Sequence, residues 1–270
     1  MANPCYYLKG PNWRRYSEEK QVQCSSSLCE PRQHRRSTCM AEIIAMFDQI
    51  VLNIPHSSPA FPFGKECWDD GIDVPIERWT DWFTDDLFIL RHSNILSIVY
   101  PYSRFFCDVE RLIDDPLEAI GQGIVYQCFD GFKRRLTEGE VDVIMESYFT
   151  HIERLRQAIK CERALLIDCH SFPSDLSDID ICIGYNNDWS RPSDLVLQLI
   201  IKHFIGAGYK VGVNNPYSNS ISPKCQFTYT SVMIEVNKDI YMNDKSSYDR
   251  LKQVIQLLYY DLLLMPGTMS

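Results

Sequence analysis

The sequence predicts a three-layer α/β/α fold: one domain on a mixed, mostly parallel sheet. Two observations carry this reading. From residue 48 onward, apolar strand-like runs alternate with segments of helical spacing. That is the pattern of a sheet covered on both faces. The chain has 270 residues, 45% of them hydrophobic, which suits one domain with a sizeable core better than two. We see no internal repeat.

The elements follow in order. "QIVLNI" (49–54) reads as a buried strand running into Pro55 and His56. "IERWTDWFTDDLFILRH" (76–92) has helical spacing, with Trp79, Trp82, Phe83 and Leu87 on its apolar face. "ILSIVYPYSRFFCDV" (95–109) returns to strand, and a Gly-rich loop, "EAIGQGIVY", comes next. Thr137 and Glu140 form a capping box that opens a helix to about Lys160. "ALLIDCH" (164–170) and "DIDICIGY" (178–185) are strands. "PSDLVLQLIIKHFIGAG" is a helix closed by Gly206 or Gly208. "YKVGVNN" and "TSVMIEVN" are further strands, and a last helix spans roughly 246 to 264.

Residues 1–39 stand apart from the domain expected over 40–270. They carry seven Lys/Arg against three Asp/Glu and no apolar periodicity, and they read as a poorly ordered basic extension that the domain does not need. Cys24, Cys29, His34 and Cys39 could ligate metal there, but their spacing fits no usual zinc module. The net charge of −9 argues against a nucleic-acid partner. No run approaches the roughly 18 apolar residues of a membrane span. Eleven cysteines without a CxxC pair, behind a polar start, predict reduced thiols in a cytoplasmic protein.

In open α/β sheets the site lies outside the carboxyl ends of the strands. His56 and His170 each follow an apolar strand there, Glu235 sits in "VMIEVN", and Arg104 lies in the 95–109 run. Buried polar groups in such places are costly unless paired or used. Each alone reads as a hydrogen-bonded core residue. Together they suit a catalytic zinc held by two histidines and one acidic group, with Glu235 as a base that does not bind metal. His92, His151 and His203 are placed on helices in structural roles.

The motifs "IPHSS", "TDWFTDDLF", "YSRFFCDVER", "DCHSF", "SDIDICIG", "NNPY" and "MIEVNKDIYM" span residues 51–242. In this order they resemble the N-formylglutamate amidohydrolase family, within the wider zinc-carboxypeptidase-like hydrolases of phosphorylase/hydrolase-like fold. The resemblance implies metal ligands at His56 and His170. Related carboxypeptidases carry a glutamate three residues after the first histidine; Pro59 stands there, so Asp81 of "TDWFTDDLF" is the third ligand implied. Glu235 matches the catalytic glutamate. Arg104 matches the arginine that holds a substrate carboxylate or polarises its carbonyl. Arg111, with Asp108, completes that clamp or braces it, while Asn214 and Tyr217 match a substrate-binding loop. In that loop "SNS" (218–220) replaces the family's paired glycines, so backbone needing positive φ would have to change course. Asp168 either orients a ligand or pairs with an arginine, and Asp178 and Asp180 either line the site or cap loops.

The implied activity is zinc-dependent hydrolysis of a small N-acyl (N-formyl-like) amino acid, with one Zn2+ per chain and neither nucleic acid nor membrane as partner. The rivals are a zinc carboxypeptidase-like peptidase acting on short peptides and a non-catalytic binding protein on the same fold.

Overall fold

A computed structural model describes residues 46–263. The expectations for the extension over 1–39, and the boundary at residue 40, fall outside these residues.

The described residues form a six-stranded sheet in the order β2-β1-β5-β8-β6-β7. Its strands are β1 (Gln49–Ile54), β2 (Ile95–Val99), β5 (Ala164–Phe172), β6 (Ile181–Gly184), β7 (Val211–Val213) and β8 (Thr230–Asn237). A small hairpin, β3 (Cys128–Phe129) with β4 (Phe132–Lys133), stands outside it. Strands β2, β1, β5 and β8 run parallel; β6 pairs antiparallel with β8 and parallel with β7. The sheet is therefore mixed and mostly parallel, as the sequence predicts.

Period-two alternation sorts the strand residues onto two faces. Ile50, Leu52 and Ile54, with Leu165, Ile167 and Cys169 and with Val232, Ile234 and Val236, share one apolar core. Helices α2 (Thr84–Leu87), α4 (Asp194–Gly206), the short α5 (Asp239–Met242) and α6 (Lys245–Leu263) cover it. Val51, Ala164 and Leu166 belong to a second core beneath α3 (Glu138–Ala158). The Thr137–Glu140 capping box is present at the start of α3, and Ile144, Tyr148, Ile152 and Leu155 form its buried stripe. Leu155 is fully buried, so Leu155→Ala should cost about 2–5 kcal/mol, read as a lower urea midpoint. No helix among the described residues is long and apolar enough to cross a membrane.

Three sequence expectations are corrected. The segment 76–92 is not one helix. It divides into α1 (Asp73–Trp79) and α2, with 80–83 as a turn between them. The Asp81 amide donates to the His56 carbonyl at 2.9 Å, and Phe83 takes φ +63, a conformation that cannot continue a helix. Phe83 is accordingly exposed rather than buried. The strand expected over 95–109 stops at Val99; residues 100–109 form a turn-rich loop, which carries Arg104. His92 lies in a loop, whereas His151 and His203 are on α3 and α4.

Candidate metal centre and active site

Strands β1, β5 and β8 end at the same edge of the sheet. On the α3 face they present Asn53, Asp168, His170 and Glu235, with Asn53 beside Asp168 and His170 beside Glu235 in register. The chain reaches β2 on one side of β1 and β5 on the other. That reversal is where a doubly wound sheet opens a crevice. His56 follows β1 into it, Asp81 arrives from the α1–α2 turn, and the 100–109 loop adds Arg104 and Asp108.

Asp81 Oδ2 lies 3.2 Å from His170 Nδ1 and 3.8 Å from His56 Nδ1. All three side chains are buried, and the three could hold a metal ion. Each imidazole turns its other nitrogen to a carboxylate: His56 Nε2 to Asp108 at 2.9 Å, His170 Nε2 to Asp168 at 3.1 Å. This arrangement fixes the tautomer that leaves Nδ1 facing inward. Asp168 thus orients His170, one of the two roles its position allowed.

Glu110, Asp168 and His170 form a second possible ligand set. The Asn53 amide already donates to both carboxylates there, at 2.6 Å to Glu110 and 2.9 Å to Asp168. The set His56, Asp81 and His170 carries no such amide and, with two imidazoles and a carboxylate, is the better fit; the Arg104 guanidinium that meets His56 Nδ1 would have to give way to an ion bound there.

Burial, then the Arg104 charge, lowers the His56 pKa to about 4, favouring the neutral form a ligand needs. His170 moves the other way: burial would lower it, but Asp168, Asp81 and Glu110 together raise it well above the usual histidine value. A metal ion binding there would displace that proton. Burial opposes ionisation of Asp81, yet His170 and Arg104 outweigh it and the pKa falls. Burial, then the Asp168 charge, raises the Glu110 pKa to about 8, so this carboxyl largely keeps its proton at neutral pH.

Glu235 is 8% exposed, and its Oε2 has no hydrogen-bond partner. Burial is the main cause that raises its pKa to about 7; Asp81 adds to this and His170 opposes it. Arg104 touches His56 Nδ1 through Nη2, while its buried Nε lacks a partner. Arg111 reaches Asp108 at 3.5 Å, the Gln122 carbonyl at 3.2 Å and the Tyr126 hydroxyl at 3.4 Å. Tyr217 packs at a tilt against Phe172, with ring centroids 5.8 Å apart, and feels the charges of Glu235, Arg104 and Asp81. The Asn214 side chain accepts from the Tyr185 amide at 2.9 Å and shapes the turn before Tyr217.

The loop without paired glycines keeps its left-handed step. Asn219 takes φ +72, which asparagine tolerates. Gly184 lets the loop approach, since a Cβ there would lie 2.6 Å from the Asn219 carbonyl. Asp180 caps a loop by accepting from the Lys210 amide at 2.8 Å.

Several site residues escaped the sequence reading: Asn53, Glu110, Tyr126 and Lys238. Lys238 is 9% exposed and donates to the Arg78 carbonyl at 2.5 Å. Of these, Asn53 left the clearest signal, an amide inside the apolar run "VLNI".

The sequence model of the N-formylglutamate amidohydrolase family matches residues 48–242. The chain belongs to this amidohydrolase family. A search of curated proteins finds no match. Among solved structures, N-formylglutamate amidohydrolase from Ralstonia eutropha JMP134 superposes with a TM-score of 0.59 at 17% identity, over 80% of this chain and 92% of that one. A gene product of Agrobacterium tumefaciens gives a TM-score of 0.53 at 16% identity, over 82% and 92%. At these identities the likeness establishes the fold, and it agrees with the family match.

Proposed function

We propose that this family member is a zinc-dependent amidohydrolase cleaving the amide bond of a small N-acyl amino acid of the N-formylglutamate kind. The observation that carries the reading is the pairing of a convergent His56–Asp81–His170 set with a buried, unpartnered carboxylate oxygen on Glu235. One zinc ion per chain would be held by those three residues. Bound there, it supplies Lewis acidity toward the amide carbonyl and acidifies water.

The chain's own groups do the rest. Glu235 takes a proton from the attacking water as the water oxygen bonds to the acyl carbon. The C–N bond breaks, and Glu235 passes the proton to the departing amine nitrogen. Arg104 holds the amino-acid carboxylate or polarises the amide carbonyl. A guanidinium grips a carboxylate through two hydrogen bonds, which lysine does less well. Arg111, Asn214 and Tyr217 bound the substrate pocket in this reading, with Arg111 also bracing Asp108. The proposal includes a cytoplasmic location and a small-molecule substrate, with no nucleic acid or membrane as partner.

A base must be deprotonated to act. With the Glu235 pKa at about 7 in the metal-free chain, and lower beside a dication, kcat/KM should climb as pH rises from the acid range toward neutral and level off there. A pH–rate profile checks this, and a rate independent of pH from 5 to 8 would contradict the assignment. A screen of N-formyl and N-acetyl amino acids against short peptides tests the substrate class. Faster cleavage of peptides would make the chain a peptidase, and turnover of neither by zinc-loaded protein would leave a binding protein.

A further inference from the structure

We propose that Asn53 is a positioning residue for the metal site, holding Asp168 and Glu110 on the outer edge of His170 so that this imidazole presents Nδ1 to Asp81. The inference rests on the zinc reading above.

Asn53 is fully buried in β1 and interrupts an otherwise apolar strand. A buried amide there is costly unless every group is used. Its carboxamide is engaged at both ends. Oδ1 accepts from His151 Nε2 on α3 at 2.9 Å. Nδ2 donates to Glu110 Oε1 at 2.6 Å and to Asp168 Oδ1 at 2.9 Å. A carboxamide alone offers one acceptor and two donors in a single plane. An aspartate would set an acceptor-only carboxylate against Asp168 and Glu110, and a leucine would leave both without this donor.

The two carboxylates set the direction of the amide, and His151 takes the tautomer that donates to its oxygen. Burial lowers its pKa to about 3, so it is neutral, and its ring proton points at Asn53 while Nδ1 has no partner. Turning the amide over would set its oxygen against the Asp168 carboxylate and remove the donor from both acids. The second oxygen of Asp168 is fixed separately by the Ile221 amide at 3.1 Å. Asp168 is thus held from two sides, and it in turn meets His170 Nε2. Glu110 waits 3.8 Å from the same nitrogen. Without the Asn53 amide, Glu110 is free to draw the imidazole edge away from Asp168. A line of hydrogen bonds therefore runs from α3 through His151, Asn53 and Asp168 to a metal ligand.

The test is zinc affinity by chelator competition on the full chain, for wild type, Asn53→Ala, Asp168→Asn and the double variant, beside the melting temperature of each metal-free protein. Removing a group that orients a ligand weakens metal binding about 10- to 100-fold, and that loss is expected for Asn53→Ala. In the Asp168→Asn background the same substitution should add little, because Asn53 acts through Asp168. Asn53→Thr keeps one hydroxyl donor and a strand-forming shape. It should lose an intermediate amount of affinity and serves if the alanine variant does not fold. Wild-type zinc affinity in the Asn53 variants, with only a lower melting temperature, would overturn the proposal, as would fully additive losses. A wild-type chain that binds no zinc would overturn the metal reading itself, and this inference with it.

Discussion

Glu235→Gln should lower turnover by about 10²- to 10⁴-fold while leaving zinc content at one per chain. The substitution keeps the size of the side chain and removes its capacity to take a proton. Strand β8 places Glu235 on the site face, in register with His170, while its flanking residues Ile234 and Val236 pack into the opposite core. Its Oε2 lacks a partner, so no structural ion pair is broken by the change. Kinetics on the zinc-loaded variant, with metal measured on the same sample, separate the roles. A wild-type rate would end the base assignment, and lost zinc would move Glu235 among the ligands.

His56→Ala and His170→Ala should each reduce zinc from one per chain to near zero after dialysis and abolish turnover. Both imidazoles offer Nδ1 toward Asp81, and both are held by carboxylates behind them. The core under α4 and α6 contains neither residue, so circular dichroism should still report a folded domain. Full zinc occupancy in the double variant would refute the ligand set.

The strands and the edge that gathers the candidate site were legible because period-two alternation is a local property. "ALLIDCH" and "SVMIEVN" give both the strands and the side each residue faces, and they place His170 and Glu235 correctly. The α1–α2 break was not legible. Trp79, Trp82 and Phe83 mimic helical spacing, and the bond that stops the helix joins Asp81 to His56, 25 positions earlier in the chain. Asp81 was found through family resemblance alone. The loop at 100–109 misled for the same reason: "SRFFCDV" looks like strand, but Ser103 turns it over Ala60 by an amide–carbonyl bond of 2.8 Å. Local rules gave way where the site needed Asp81, Arg104 and Asp108 brought inward. Glu110 and Lys238 carry no sequence signal that separates them from solvated charges. Asn53 did, and the argument that selected Glu235 within its strand applies to it equally.

The most direct test follows the release of free glutamate from N-formylglutamate by the purified chain before chelation, after it, and after addition of Zn2+. The account predicts hydrolysis that stops when metal is removed and returns with about one zinc per chain. Hydrolysis unchanged by complete removal of metal would contradict it, as would a zinc-loaded chain that leaves every N-acyl amino acid intact.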